Sequence, residues 1–101
     1  MGEWKKLTGY RTHISIIADI LDTAREYSYE GHDRGATVTH LIRRANVPHG
    51  RLSSLVSELK ASGLLQELPE ESKYRISEKG MEFLKSYQQF KGFAEGFGLR
   101  V

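Results

Sequence analysis

The chain has 101 residues, of which 39% are hydrophobic and 28% are charged, so it can form one domain with a single modest core. Its net charge of +2 excludes a protein that binds nucleic acid through overall basicity alone. No apolar run reaches the length of about 18 residues that a membrane-spanning helix needs. The absence of cysteine excludes disulfides and thiolate metal sites. The first residues lack the apolar segment of a secretion signal, so we expect a cytoplasmic protein.

The N-terminal part of the chain predicts a loose arm followed by one amphipathic helix. Residues 1–12 show no hydrophobic periodicity, and we expect a flexible arm there. From His13 to about Ser28, isoleucines, leucine and alanine recur at helical spacing and form one apolar stripe. Ile16 falls to one side of this stripe, which indicates a second contact surface. Residues 29–35 contain two glycines and predict a loop.

Two further helices with a tight link between them are predicted next. Thr37 or Thr39 can cap the first of them with a side-chain oxygen, and Asn46 suits its left-handed C-terminal position. Pro48 fits the first turn of the second helix, and Gly63 ends that helix. The second helix carries a tight apolar stripe formed by Leu52, Leu55, Val56 and Leu59.

A hairpin and a long helix complete the chain. Leu64–Leu68 and Lys73–Ile76 predict two strands around a polar tip, and Ser77 is suited to cap the helix that follows. This last helix has two apolar faces, of which one can pack on the domain's own core. The second face indicates a partner, most simply the same helix of another copy. We assign to this dimer surface Ile16, Phe83, Tyr87, Phe90, Ala94 and Phe97.

This order of elements predicts a mainly α fold with a small β-hairpin, and specifically a winged helix-turn-helix domain followed by a C-terminal dimerisation helix. The domain is expected at residues 13–77, and the dimerisation helix with its tail at residues 78–101. Such a domain presents one helix to a groove of duplex DNA. Four cationic side chains and one acidic side chain lie between Thr37 and Gly63, so positive charge is concentrated where phosphate contact requires it.

The second helix of this motif, residues 49–62, is the candidate for the recognition helix. Its outward face carries small hydroxyl side chains, which allow close approach to a groove and can bond phosphates. Arg43 and Arg44 can contact phosphates from the first helix, although adjacent residues point about 100° apart, so we expect only one to do so. His49 stands where it could contact phosphate or a base edge. The predicted DNA contacts are Thr39, Arg43, Arg44, His49, Arg51, Ser53, Ser54, Ser57, Lys60, Lys73 and Arg75.

Three blocks of sequence also resemble a known family. They are THLIRRANVPHGRLSSLVSEL at Thr39–Leu59, Gly63-Leu64-Leu65, and YRISEKG at Tyr74–Gly80 followed by Phe83-Leu84. In these blocks the chain resembles small archaeal winged helix-turn-helix proteins, which include predicted transcriptional regulators and ArnR-like domains. The resemblance covers roughly residues 13–91. It implies that residues 49–62 form the recognition helix, that the hairpin is the wing, and that the last helix forms an antiparallel dimer.

The chain departs from this family in its charge. The relatives often carry basic residues before the first helix-turn-helix threonine and along the recognition helix. At those positions this chain has Val38, Gly50, Ser53 and Ser54. Its wing tip also carries Glu70 and Glu71. Because each missing cation removes a phosphate contact, we expect weaker duplex binding that depends on the dimer.

Other chemistry is not indicated. The four histidines have neither cysteine nor a compact carboxylate cluster beside them, so no metal site or cofactor is expected. The sequence contains no GxSxG elbow and no glycine-rich dinucleotide motif, and we expect neither enzymatic activity nor a small-molecule substrate. Two functions remain. The first is a homodimeric protein that binds double-stranded DNA and regulates transcription. The alternative is a protein-protein interaction module on the same scaffold without direct DNA readout.

Overall fold

The computed structural model describes residues 12–30 and 34–101. Apart from Thr12, the predicted N-terminal arm therefore lies outside the described residues. The elements are α1 (His13–Arg25) with a π-helical extension (Glu26–Glu30), α2 (Val38–Ala45), α3 (His49–Ala61), β1 (Leu65–Leu68), a 3-10 turn (Pro69–Glu71), β2 (Lys73–Ile76) and α4 (Glu78–Glu95). This is the mainly helical fold with a hairpin that the sequence predicts. None of the helices in these residues is long and apolar enough to cross a membrane.

Helix α1 lies at the centre of the hydrophobic core. Thr12 caps it by accepting a hydrogen bond from the Ser15 N–H at 3.0 Å. The helix packs against α2, α4 and β2, so it is covered on more than one side. Ile16 is consequently 3% exposed and belongs to the core. Its assignment to a dimer surface was wrong, because the sequence stripe shows only one of the directions from which α1 is covered.

The end of α1 differs from the sequence expectation. The helix continues as a π-helical turn to Glu30, two residues into the segment predicted to be a loop. The Ser28 hydroxyl donates to the Ala24 carbonyl at 2.6 Å, and the Tyr27 ring stacks on His40 at a centroid distance of 3.8 Å. The hydrogen bond stabilises the turn itself, and the ring stack holds the turn against α2.

The link between α2 and α3 follows its local signals. Asn46 adopts the left-handed conformation (φ 53°), and its N–H donates to the Ile42 carbonyl at 2.8 Å, which ends α2. Pro48 stands at the position that precedes α3 rather than inside its first turn. At the other end of α3, Gly63 has φ +80°, and the N–H of Leu64 donates back to the Leu59 carbonyl at 2.9 Å. The C-terminal ends of α2 and α3 are therefore alike. Each is followed by a residue in the left-handed conformation, which allows a backbone N–H to bond one of the last carbonyls of the helix.

Strands β1 and β2 form the antiparallel hairpin, which we call the wing together with its turn. Leu65 lies opposite Ile76, and Glu67 lies opposite Tyr74. A single bridge that the sequence analysis did not predict adds a third segment to this sheet. Ala36, just before α2, exchanges two backbone hydrogen bonds of 2.8 Å with Tyr74. The wing is thereby tied to the start of α2 as well as to α3.

Ser77 joins three elements at one point. Its hydroxyl donates to the Gly63 carbonyl at 2.6 Å, with the Leu64 carbonyl at 3.1 Å, and it accepts from the Gly80 N–H at 2.9 Å. Gly80 packs so closely that an added Cβ would clash with the Leu64 carbonyl and would lie 2.6 Å from Cγ1 of Ile76. The end of α3, the start of β1 and the start of α4 are therefore fixed relative to one another.

Helix α4 is half docked and half exposed. In its first part Leu84 is 3% exposed and lies in the core, with Phe83 and Tyr87 partly buried against it. Beyond Tyr87 most side chains are exposed, and the chain turns back at Gly98, where the Leu99 N–H donates to the Ala94 carbonyl at 3.0 Å. Ala94 is buried at this turn (3% exposed), so its assignment to the dimer surface was wrong.

The Gly80→Ala variant tests the close junction between β1 and α4. We expect its free energy of unfolding to fall by about 1 to 3 kcal/mol, because the added methyl group forces a backbone shift. Gly50→Ala is the matched control, since a Cβ at Gly50 has no atom within 4 Å. This control should be unchanged or more stable by up to about 1 kcal/mol. Urea denaturation at one protein concentration measures both, and equal stability of the two variants would contradict the packing.

Candidate nucleic-acid interface

The outward face of α3 is smooth because its side chains are small. The helix buries Leu52, Leu55, Val56 and Leu59 and exposes Gly50, Ser54, Ser57 and Ala61 on the opposite side. The Ser54 hydroxyl donates to the Gly50 carbonyl of its own helix at 3.3 Å. The hydroxyls of Ser53 and Ser57 make no hydrogen bond within the part of the chain that the structure describes. This face can approach a groove closely and still has hydroxyl groups available for bonding.

The two flanks of α3 carry different charges. On the flank towards the wing, the Lys60 ammonium forms an ion pair with the Glu67 carboxylate of β1, and this hydrogen bond raises the pKa of Lys60. On the other flank, Glu58 lies 3.6 Å from His13 at the start of α1. Arg51 is exposed on that second flank and has no ion pair among the described residues. Among the described residues, Arg51 is therefore the cation of α3 without an ion pair, whereas Lys60 is paired with Glu67.

The two adjacent arginines of α2 point in different directions and have different surroundings. The Arg44 guanidinium contacts Glu26 at 2.6 Å and Asp22 at 3.3 Å, and the hydrogen bond with Glu26 raises the pKa of Arg44. Arg43 is exposed, one helical turn after the exposed Thr39, and has no ion pair in the described ranges. Of the two arginines that the sequence placed at DNA, Arg44 is held by acidic groups of α1 and its extension, and Arg43 remains available.

The position of α2 is fixed by a capping box that includes a histidine. The Thr37 hydroxyl accepts from the His40 N–H at 3.3 Å, and Nδ1 of His40 accepts from the Thr37 N–H at 3.1 Å. Thr37 is thus the cap, and Thr39 is left exposed for other contacts. Sequence analysis offered no role for His40, because the usual capping-box partner is glutamate or glutamine. His49 is exposed in the first turn of α3.

The wing offers less positive charge than expected. Lys73 and Arg75 are both partly buried, and Nε of Arg75 is buried without a hydrogen-bond partner among the described residues. At the tip, Arg34 lies 3.5 Å from Glu71. No group of three or more histidine, aspartate or glutamate side chains in the described ranges could hold a metal ion.

A notch of about 160 Å³ lies between α3 and the wing. Its apolar residues are Val38, Leu52 and Val56, and its polar residues are Ser53, Ser57, Lys60 and Tyr74. Three of the predicted DNA contacts are therefore brought together around one depression. Sequence analysis missed the notch because it depends on the bridge between Ala36 and Tyr74, which places β2 beside the start of α2.

A helix-turn-helix with a smooth outward helix and an adjoining hairpin defines a DNA-binding class of fold. Comparison with known families agrees with this class. The sequence profile of the family described as winged helix-turn-helix matches residues 10–95, which is more than half of the chain. The chain therefore belongs to the winged helix-turn-helix family. No curated protein matches the chain closely enough to serve as a named relative.

Paired threonine variants test how α2 is capped. Thr37→Ala removes the hydroxyl that accepts from the His40 N–H, while the backbone N–H that donates to Nδ1 of His40 is retained. We expect the free energy of unfolding to fall by about 1 kcal/mol. Thr39→Ala, two residues away and exposed, should change stability by less than about 0.5 kcal/mol. Thermal or urea unfolding measures both, and a larger loss in the Thr39 variant would show that the cap has been assigned to the wrong threonine.

Proposed function

We propose that this protein binds double-stranded DNA as a homodimer and regulates transcription, in the manner of the small archaeal regulators and ArnR-like domains that it resembles. In this proposal α3 enters the major groove and the wing contacts the adjacent backbone. The observation that carries the proposal is the outward face of α3. This face has small side chains and is flanked by Arg51, which has no ion pair among the described residues, on a helix side that the domain leaves uncovered.

Charge sets how strong this binding is. Arg44 and Lys60 are engaged by carboxylates, which leaves Arg43 and Arg51 as the cations of α2 and α3 without an ion pair in the described chain. Each phosphate contact contributes about 0.9 to the dependence of log affinity on log salt. Two such cations on each protomer give a dimer a slope of about −3 to −4. Binding should therefore be moderate, strongly salt-dependent and weak for a single protomer.

A comparison of Arg43 and Arg44 tests the proposed orientation. Arg43→Ala or Arg51→Ala should each weaken duplex binding and reduce the salt slope by about one for each site lost. Arg44→Ala, its neighbour with the same charge, should leave the slope nearly unchanged because its guanidinium is held by Glu26 and Asp22. Fluorescence anisotropy of a labelled mixed-sequence duplex, at two or more salt concentrations, measures these slopes. Equal slopes for all three variants would contradict the orientation.

The same titration addresses the alternative function. The internal pairing of Arg44 and Lys60 and the acidic wing tip favour a domain that uses the scaffold to bind a protein instead of DNA. A wild-type protein that fails to bind duplex DNA even at low salt would support this alternative. Binding that weakens steeply with salt would support phosphate contact and the first proposal.

Dimer formation is supported by a surface on the exposed end of α4. Phe90, Phe93, Phe97 and Leu99 are 55%, 66%, 71% and 60% exposed, and we call this set the aromatic surface. The rings of Phe93 and Phe97 contact each other edge to face at a centroid distance of 5.2 Å. Large apolar side chains clustered in this way are typical of a protein interface and are costly to leave in water. Phe93 and Leu99 were not among the predicted dimer residues, although Phe93 has helical spacing with Phe90 and Phe97.

The order of residues along α4 favours an antiparallel pair centred on Phe90. If two α4 helices cross with Phe90 beside Phe90, residues at equal distances on either side face each other. Phe97 then lies opposite the partner's Phe83, and Phe93 lies opposite the partner's Tyr87. In this register apolar groups therefore meet apolar groups across the interface. A shift of register loses this complementarity.

Phe90→Asp tests the dimer. Placing a carboxylate at the centre of the interface should lower the sedimenting mass to that of a monomer and weaken duplex binding. Gln88→Asp is the matched control, because this exposed residue lies about 200° around the helix from Phe90 and receives the same charge. Analytical ultracentrifugation measures the mass of both. An unaltered dimer in the Phe90 variant would remove the aromatic surface from the proposal.

A further inference from the structure

The ion pair between Lys60 and Glu67 places a carboxylate where the proposed function requires a phosphate. Lys60 lies near the end of α3 and Glu67 lies in β1, and their side chains are 39% and 34% exposed. Lys60 also contributes to the polar part of the notch between α3 and the wing. The wing therefore supplies an anion to a cation of the candidate recognition helix within the same chain.

The notch has the chemistry of a site for one sugar-phosphate unit. Its hydroxyl groups come from Ser53, Ser57 and Tyr74, and none of them has a hydrogen-bond partner within the described residues. Hydroxyl groups and an ammonium are the usual donors to a backbone phosphate. The apolar residues of the notch can pack against the adjacent deoxyribose. A volume of about 160 Å³ is large enough for a phosphate group.

Glu67 can be displaced from Lys60 without unfolding the wing. Its backbone is fixed by the pairing of β1 with β2, opposite Tyr74, whereas its side chain is partly in solvent. The carboxylate and a phosphate make the same kind of charge-assisted hydrogen bond to an ammonium, so the two compete for one cation. An exposed ion pair of this kind contributes little to the free energy of folding. A phosphate that is also held by three hydroxyl groups can therefore replace the carboxylate.

We propose that the notch is a subsite for one DNA backbone phosphate, and that Glu67 occupies its Lys60 until that phosphate displaces the carboxylate. This inference rests on the proposed DNA binding and adds to it a residue that lowers affinity. The duplex must release the carboxylate before it gains Lys60 as a third cation beside Arg43 and Arg51. Glu67 thus acts as an internal competitor that reduces binding to DNA of any sequence.

The test uses Glu67→Gln and a matched control in the wing. Glu67→Gln removes the competing charge and should tighten duplex binding by about two- to fivefold for each site. It should also make the salt slope steeper by about one for each site, because Lys60 becomes available to phosphate. Glu70→Gln changes the net charge equally, but Glu70 has no ion pair among the described residues, so a much smaller change is expected. Anisotropy with the mixed-sequence duplex measures both quantities.

A second pair of variants separates this inference from the proposed function. In a Lys60→Gln background, Glu67→Gln should no longer tighten binding, and Ser57→Ala in the wild type should weaken it. If the wild type binds DNA but Glu67→Gln and Glu70→Gln behave alike, the phosphate subsite is wrong and DNA binding stands. The subsite is also wrong if Glu67→Gln tightens binding equally with and without Lys60. If neither the wild type nor Glu67→Gln binds DNA at low salt, the proposed function itself fails.

Discussion

The hydrogen bonds of Ser77 are the constraint on which the arrangement of the functional elements depends. One hydroxyl joins the Gly63 carbonyl at the end of α3 to the N–H of Gly80 in the first turn of α4. The absence of a side chain at Gly80 lets α4 lie directly against the carbonyl of Leu64. The positions of α3, the wing and α4 relative to one another are thus set by one junction. In a dimer, this junction would determine the distance between the two recognition helices, and with it the spacing of the DNA half-sites.

The fold could be predicted from the sequence because its elements begin and end at residues with strong local preferences. Asn46 and Gly63 both adopt left-handed conformations at helix ends, and Ser77 caps α4. The bridge between Ala36 and Tyr74 could not be predicted, since one residue pair has no periodic pattern. Ile16 and Ala94 were misassigned for a related reason. A helical stripe shows where apolar residues lie on one helix, but it does not show how many neighbours cover that helix.

The candidate site was predictable in its residue types and only partly in its electrostatics. The outward face of α3 with its small side chains could be predicted directly from the spacing of the leucines and serines. Counting cations overestimated the available charge, because the partners of Arg44 and Lys60 come from other elements, namely α1 with its extension and β1. Such ion pairs cannot be recognised from the sequence, because they depend on how separate elements pack against one another. His40 was missed for a different reason. It is the partner of Thr37 in the capping box of α2, a position at which glutamate or glutamine is usual, so its role could not be recognised from the sequence.

The balance of charges links helix shape, ion pairing and dimer formation in the proposed function. If α3 is the recognition helix, its one cation without an ion pair among the described residues cannot hold a duplex by counterion release alone, so the affinity would have to come from close approach and from a second protomer. In the proposed function, the exposed aromatic surface would hold two protomers together, and the ion pair of Lys60 would keep the DNA affinity of each protomer low. If each protomer has a low affinity for DNA and two protomers associate firmly, the dimer binds tightly only where both α3 helices fit the DNA at the same time. On the proposed function, the acidic groups beside Lys60 and Arg44 would therefore limit binding by a single protomer and favour DNA on which both halves of a dimer engage.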